Sequence, residues 1–170
     1  MLDAVAASGV PDAWVGAGVI RDVVWDTRFG AGFDPALVKD VDVVFFDADD
    51  LSRERDAAAE ERLRTLRPDV EWDGKNQAAV HTWFAARFGT EVEPLMSVAD
   101  GVGTWPDTAT AVAVRKVGEA IELIAPLGLD DLLEGVWRRN PARVTLEEWE
   151  RRVSRKEPAK RWPGVRVIGG

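Results

Sequence analysis

Apolar and polar positions change period along this chain, and each change marks an element. Asp12–Gly16 carries AWVG behind Pro11 and reads as a short strand. Gly16-Ala17-Gly18 is a turn, and Val19–Trp25 continues as a helix with Val19 and Val23 on one face. Arg28–Pro35 is glycine-rich and reads as a loop. Val41–Phe46, VDVVFF, is an apolar run bounded by charge, the pattern of a buried strand. Leu51–Arg67 places Leu51, Ala58, Leu63 and Leu66 near helical spacing, and Pro68 closes it. Val70–Trp72 reads as a strand. Asn76–Phe88 reads as a helix, with Asn76 as its cap and Gly89 as its stop. Ser97–Gly101 is one more helical turn. Thr110–Val114 and Ala120–Ala125, joined through Val117-Gly118-Glu119, make a hairpin. A helix follows at Leu129–Gly135. Thr145 and Glu148 form a capping box for a last helix to about Lys156, and Pro158 and Pro163 mark a looser end. The order β-α-β-α-β-α-β-β-α-α predicts an α+β fold, a small mixed sheet covered by helices.

At 170 residues the chain suits one domain, 1–170, with a basic helical segment at 137–170. The balance of 46% hydrophobic and 31% charged residues is that of a globular protein able to bury a core. Two features of the composition narrow the chemistry further. There is no cysteine, which excludes disulfides, thiolate metal sites and cysteine nucleophiles, and there is one histidine. A metal here must be held by carboxylates, which points to magnesium or manganese.

The net charge of −8 is unevenly spread. From Val136 onward ten Lys/Arg face four Glu, a surplus of +6, so Met1–Gly135 carries −14. So acidic a body argues against wrapping long nucleic acid, because phosphate neutralisation supplies most of that affinity. The basic segment reads first as a solvated helix face and second as a place to meet phosphates. No apolar run approaches a membrane span, and the opening MLDAVAASGVPDAW has no basic segment of the kind a signal peptide carries. A cytoplasmic protein is expected.

Asp40-Val41-Asp42 opens the buried strand. Alternate strand residues share a face, so Asp40 and Asp42 point the same way. Two carboxylates on one face repel each other unless a cation or proton lies between them. Gly16-Ala17-Gly18 sits between a strand and a helix, where free N–H groups can hold phosphate. Glu122 interrupts an apolar hairpin strand. Three carboxylates on neighbouring strands could chelate two metal ions suited to phosphoryl transfer.

These stretches resemble the DNA polymerase beta superfamily of nucleotidyltransferases. Trp14-Val15-Gly16-Ala17-Gly18-Val19-Ile20-Arg21-Asp22, then Asp40-Val41-Asp42-Val43-Val44, is similar to the head domain of tRNA nucleotidyltransferases and poly(A) polymerases. The motifs GAGVIRDVVWD, DVDVVFFD, KNQAAVHTWF, WPDTATAVAVR, APLGLDDL and RRNP together resemble a small bacterial family of nucleotidyltransferases. The resemblance implies a polymerase beta-like fold. It implies Asp40, Asp42 and Glu122 as catalytic metal ligands, two Mg2+ or Mn2+ ions, and Gly16, Ala17 and Gly18 as the phosphate-facing turn. The implied partners are an NTP and an unidentified hydroxyl acceptor, a small molecule ahead of RNA or protein. The first glycine motif is G-A-G where the superfamily carries G-G or G-S. The helical neck and body with which tRNA enzymes grip tRNA have no counterpart, so CCA addition is not implied.

Other residues are divided. Arg21 reads equally as a triphosphate contact or as a brace paired with Asp22. Lys75 could reach a phosphate. Asp47 falls on the face opposite Asp40 and Asp42, and His81 reads as structural. Two functions are therefore open: a metal-dependent nucleotidyltransferase, or a catalytically inactive nucleotide-binding or regulatory module, for example a partner-binding antitoxin-like protein.

Overall fold

The computed structural model describes residues 1–169. A five-stranded mixed sheet runs β3 (Trp72–Asn76), β2 (Val41–Phe45), β1 (Trp14–Gly16), β4 (Ala113–Val117), β5 (Ala120–Ile124). Only β2 and β3 are parallel; the other neighbours are antiparallel. Register fixes two faces. Trp14, Val44, Ala113 and Ile124 share one with Asp42, while Val15, Val41, Val43 and Phe45 line the other.

The second face packs on α1 (Leu2–Ala7) and α3 (Arg53–Leu66), burying Val5, Ala59 and Leu63 among the strand valines. The first face is partly covered by α5 (Val98–Gly103), whose Val98 and Val102 meet Trp14, Val44 and Ala113. Between the strands lie α2 (Gly18–Phe29) and α4 (Val80–Phe88).

The outer edge of β3 is closed by side chains of α3. Glu60 accepts the Gly74 N–H at 3.1 Å and Asp56 accepts the Asn76 N–H at 2.8 Å, while Lys75 Nζ donates to the Gly74 carbonyl at 3.0 Å. Helix positions i and i+4 rise about 6 Å, close to the two-residue repeat of a strand, so one helix face can serve alternate edge donors.

A second, tryptophan-built core sits on α2. After the hairpin come α6 (Asp130–Glu134), β6 (Val136–Arg138), α7 (Leu146–Lys156), α8 (Pro158–Arg161) and β7 (Arg166–Ile168), with β6 and β7 paired in parallel. Trp25 of α2 meets Trp162 edge-on at 5.1 Å, and Trp137 meets Trp149 at 5.1 Å. Each such ring truncated to alanine would cost about 3–5 kcal/mol. The segment after Pro158, expected to be loose, is thus docked on α2. Among the described residues no helix is long and apolar enough to cross a membrane.

Candidate active site

The turn from β1 into α2 carries the glycine motif, and each of its residues has a local reason. A Cβ at Gly16 would overlap the Trp105 ring, so packing excludes a side chain there. Ala17 caps α2 with φ 55° and ψ −126°, a conformation L-residues rarely hold, stored at a turn beside the acidic pair. Gly18 starts the helix and aims its N–H at the Asp42 carboxylate. We expect Gly16→Ala to destabilise the fold by about 1–3 kcal/mol through overpacking. Trp105→Leu in the same chain should recover most of that loss in a urea melt, and an unrecovered loss would mean that Gly16 answers to something other than Trp105.

Asp40 stands exposed just before β2, near enough to repel the charge of Asp42, which is half-buried in the strand. Burial pushes the Asp42 carboxyl up to about 6, with Asp73 and Asp40 adding repulsion and the Gly18 N–H opposing it. Asp73 is the neighbour that pattern reading missed. It is the register partner of Asp42 across the parallel β2–β3 pair and lies on the same face. Trp72, Gly74 and Asn76 point inward and Asp73 and Lys75 do not, a period of two. The alternation was hidden because two of its inward residues are Gly and Asn. The strand expected at Val70–Trp72 spans Trp72–Asn76 instead.

Glu122 takes no part in this cluster. It shares the face of Asp42 but sits on β5, three strands from β2, roughly 14 Å away at about 4.8 Å per strand. Its carboxylate is bound by Arg115, Nε at 2.7 Å and Nη2 at 2.6 Å, while Arg115 stacks on Trp14 at 4.2 Å and reaches Asp12 at 2.6 Å. An acid in an apolar hairpin here is a cross-strand ion-pair partner, and the acids left for a metal are Asp40, Asp42 and Asp73.

The expected phosphate contacts are engaged. Arg21 is buried, pairs with Asp22 at 2.7 Å, and lies over the rings of Trp25, Trp137 and Trp162 at 5.0–5.9 Å. It is a brace, still adjacent to Gly18. Lys75 Nζ binds Asp73 and lies 3.4 Å from Glu60. Asn76 caps the next turn as expected: its Oδ1 accepts the Ala78 N–H, and its Nδ2 donates to the Asp47 and Asp50 carbonyls. Asp47 pairs with Arg55, away from the acidic pair.

Among the described residues no group of three acids or histidines stands gathered as a finished metal site. The donor set nevertheless suits a hard cation. The Asp40, Asp42 and Asp73 side chains offer only oxygens, and Asp42 is held against its own ionisation by burial first and then by two neighbouring carboxylates. Lys75 currently supplies the one positive charge bound to Asp73.

Known proteins agree with this architecture. A solution NMR structure described as revealing a CCA-adding enzyme head domain superposes with a TM-score of 0.81 at 28% identity, over 99% of this chain and 87% of that one. A tRNA-processing enzyme in an apo form matches at TM-score 0.58 and 17% identity, over 98% of this chain and 41% of that one, a likeness of fold alone. No curated protein sequence matches significantly. A family model described as nucleotidyltransferase matches residues 3–167, nearly the full length. With the glycine turn, the acid-bearing strand and the mixed sheet of that fold in place, the chain belongs to this nucleotidyltransferase family.

Proposed function

We propose that the protein transfers a nucleotidyl group from an NTP to a hydroxyl acceptor, with Asp40, Asp42 and Asp73 holding two divalent ions, magnesium or manganese. The supporting observation is the register of Asp42 with Asp73 on one sheet face, beside the N-terminus of α2. Bound there, the metal would activate the hydroxyl and neutralise charge on the transferring phosphoryl group. The protein's own part is positional. Gly18 and the first turn of α2 present N–H groups to an anion, and Trp105 closes the sheet face above Gly16. The acidic body favours a small-molecule acceptor over long nucleic acid. Incubation with each labelled NTP and magnesium or manganese, against metabolite pools, RNA and protein, tests this. Label fixed on one acceptor class supports the proposal, and no transfer from any NTP under either metal sinks it.

The ion pair between Lys75 and Asp73 favours a second reading, an inactive nucleotide-binding module in which a lysine has taken the cation's place. Under the enzyme reading Lys75 yields to metal. Lys75→Met then tightens Mn2+ binding about three- to tenfold, since a half-exposed charge pair is worth on the order of 1 kcal/mol. Calorimetric titration checks this, and an absence of Mn2+ binding in both proteins favours the module.

A further inference from the structure

We propose that the basic face of α7, formed by Arg152, Arg155 and Lys156, is the anion subsite that receives the polyphosphate of the nucleotide. The inference rests on the reading of the acidic pair as a nucleotide-using site, and extends it to a segment that reading does not use.

Residues 152, 155 and 156 lie three and four positions apart, so they share one side of the helix. Packing brings that side to the site. Trp149 of α7 is seated on Trp137, and the guanidinium carbons of Arg152 and Arg21 both stand 5.9 Å from the Trp137 ring centre. Arg21 in turn lies 3.9 Å from where a Gly18 Cβ would be, and Gly18 faces Asp42. A continuous path therefore leads from the acidic pair, through the first turn of α2, to the last two turns of α7.

The charges on this path are unbalanced. Arg152 has one ion pair, at 3.3 Å to the fully buried Asp107, and its Nε is buried without a partner. Arg155 and Lys156 have no ion-pair partner among the described residues. Burial, then Arg152, Arg21 and Arg155, hold the Lys156 ammonium below the usual lysine range, and Asp40 is the carboxylate that opposes them. Basic residues in a last helical turn often only complement the helix dipole. That does not account for three cations crowded towards a fourth, Arg21, beside a carboxylate proposed to hold metal. Like charges so placed repel until an anion lies among them, and a triphosphate supplies several.

The test uses the full-length protein in metal-free buffer, titrated with inorganic tripolyphosphate, with ATP and with a short 5′-phosphorylated oligonucleotide, and followed by tryptophan fluorescence and calorimetry. The double variant is Arg155→Met with Lys156→Met, and Arg151→Met with Lys160→Met serves as a control that removes equal charge at exposed positions of α7 and α8. Both sites of the double variant are exposed, and circular dichroism confirms that it folds. We expect it to bind tripolyphosphate and ATP at least about tenfold more weakly, as loss of two charge-assisted contacts implies, with the control unchanged. Wild-type protein that ignores tripolyphosphate overturns the inference. So does a double variant that binds it as well as wild type, a control that weakens equally, or a loss confined to the oligonucleotide. Transfer plays no part in this measurement. Tripolyphosphate held through α7 with no transfer from any NTP would keep the inference and remove the enzyme reading.

Discussion

Asparagine at position 42 is expected to abolish nucleotidyl transfer while making the metal-free fold more stable at neutral pH. The folded-state carboxyl is raised to about 6 from an ordinary 3.8. Between those values the native state holds a proton that the unfolded chain has released, so wild-type stability falls as pH rises through that window. The loss is about 1–3 kcal/mol at 1.36 kcal/mol per pH unit, discounted for partial exposure. Asp42→Asn does not titrate. Its advantage in urea melts should be near zero below pH 4 and complete above about pH 6. Under the two-metal proposal magnesium would reverse the order, because it would stabilise only the protein that binds it. Transfer would fall by orders of magnitude, since the metal would carry both activation and charge neutralisation. A variant that unfolds instead would make Asp42 a structural acid, and undiminished transfer would remove it from the site.

Among the polar side chains, a large stability loss is expected at Asp26, a residue outside the acidic pair. Its carboxylate is buried, accepts two bonds from Arg161 at 3.0 and 2.6 Å, and accepts the Trp162 indole N–H at 2.7 Å. Asp26→Ala leaves a guanidinium and an indole without their acceptor, at about 2–4 kcal/mol. Tryptophan fluorescence should shift to the red as Trp162 loosens from Trp25. Glu91→Ala, at an exposed acid of the loop between α4 and α5, should change stability by less than about 0.5 kcal/mol. A loss below about 1 kcal/mol for Asp26→Ala would show that apolar packing alone holds the C-terminal segment.

What could be read from the chain followed the strength of local signals. VDVVFF could only be a buried strand, and the Thr145–Glu148 box is present with both of its reciprocal bonds. The hairpin begins three residues later than its alternation suggests. Asp107 caps the Thr110 N–H and winds Thr108–Thr110 into a 3-10 turn before β4 starts. Strands β6 and β7 are three residues each, too short for a period to show, and they exist because two tryptophan-bearing segments pack together. At the site, Asp40 and Asp42 were legible because strand period is a local property. Asp73 was not, because its strand is held by its neighbour β2 and by α3 and not by its own residues. Glu122 misled because β5 is exposed along most of its length, so its alternation records pairing with β4 and not burial.

The guarded outer edge of β3 also limits how copies of this molecule can associate. A fibre assembled by strand addition needs a donor edge and an acceptor edge on every subunit, so that each copy passes the contact on. In the five-stranded sheet Asp56, Glu60 and Lys75 occupy one edge, leaving β5 as its unguarded edge among the described residues. Two copies joined through β5 present no second edge of that sheet to a third. Through this sheet the molecule can close into a twofold pair and go no further, with exposed Ile121 and Leu123 carried on its open strand.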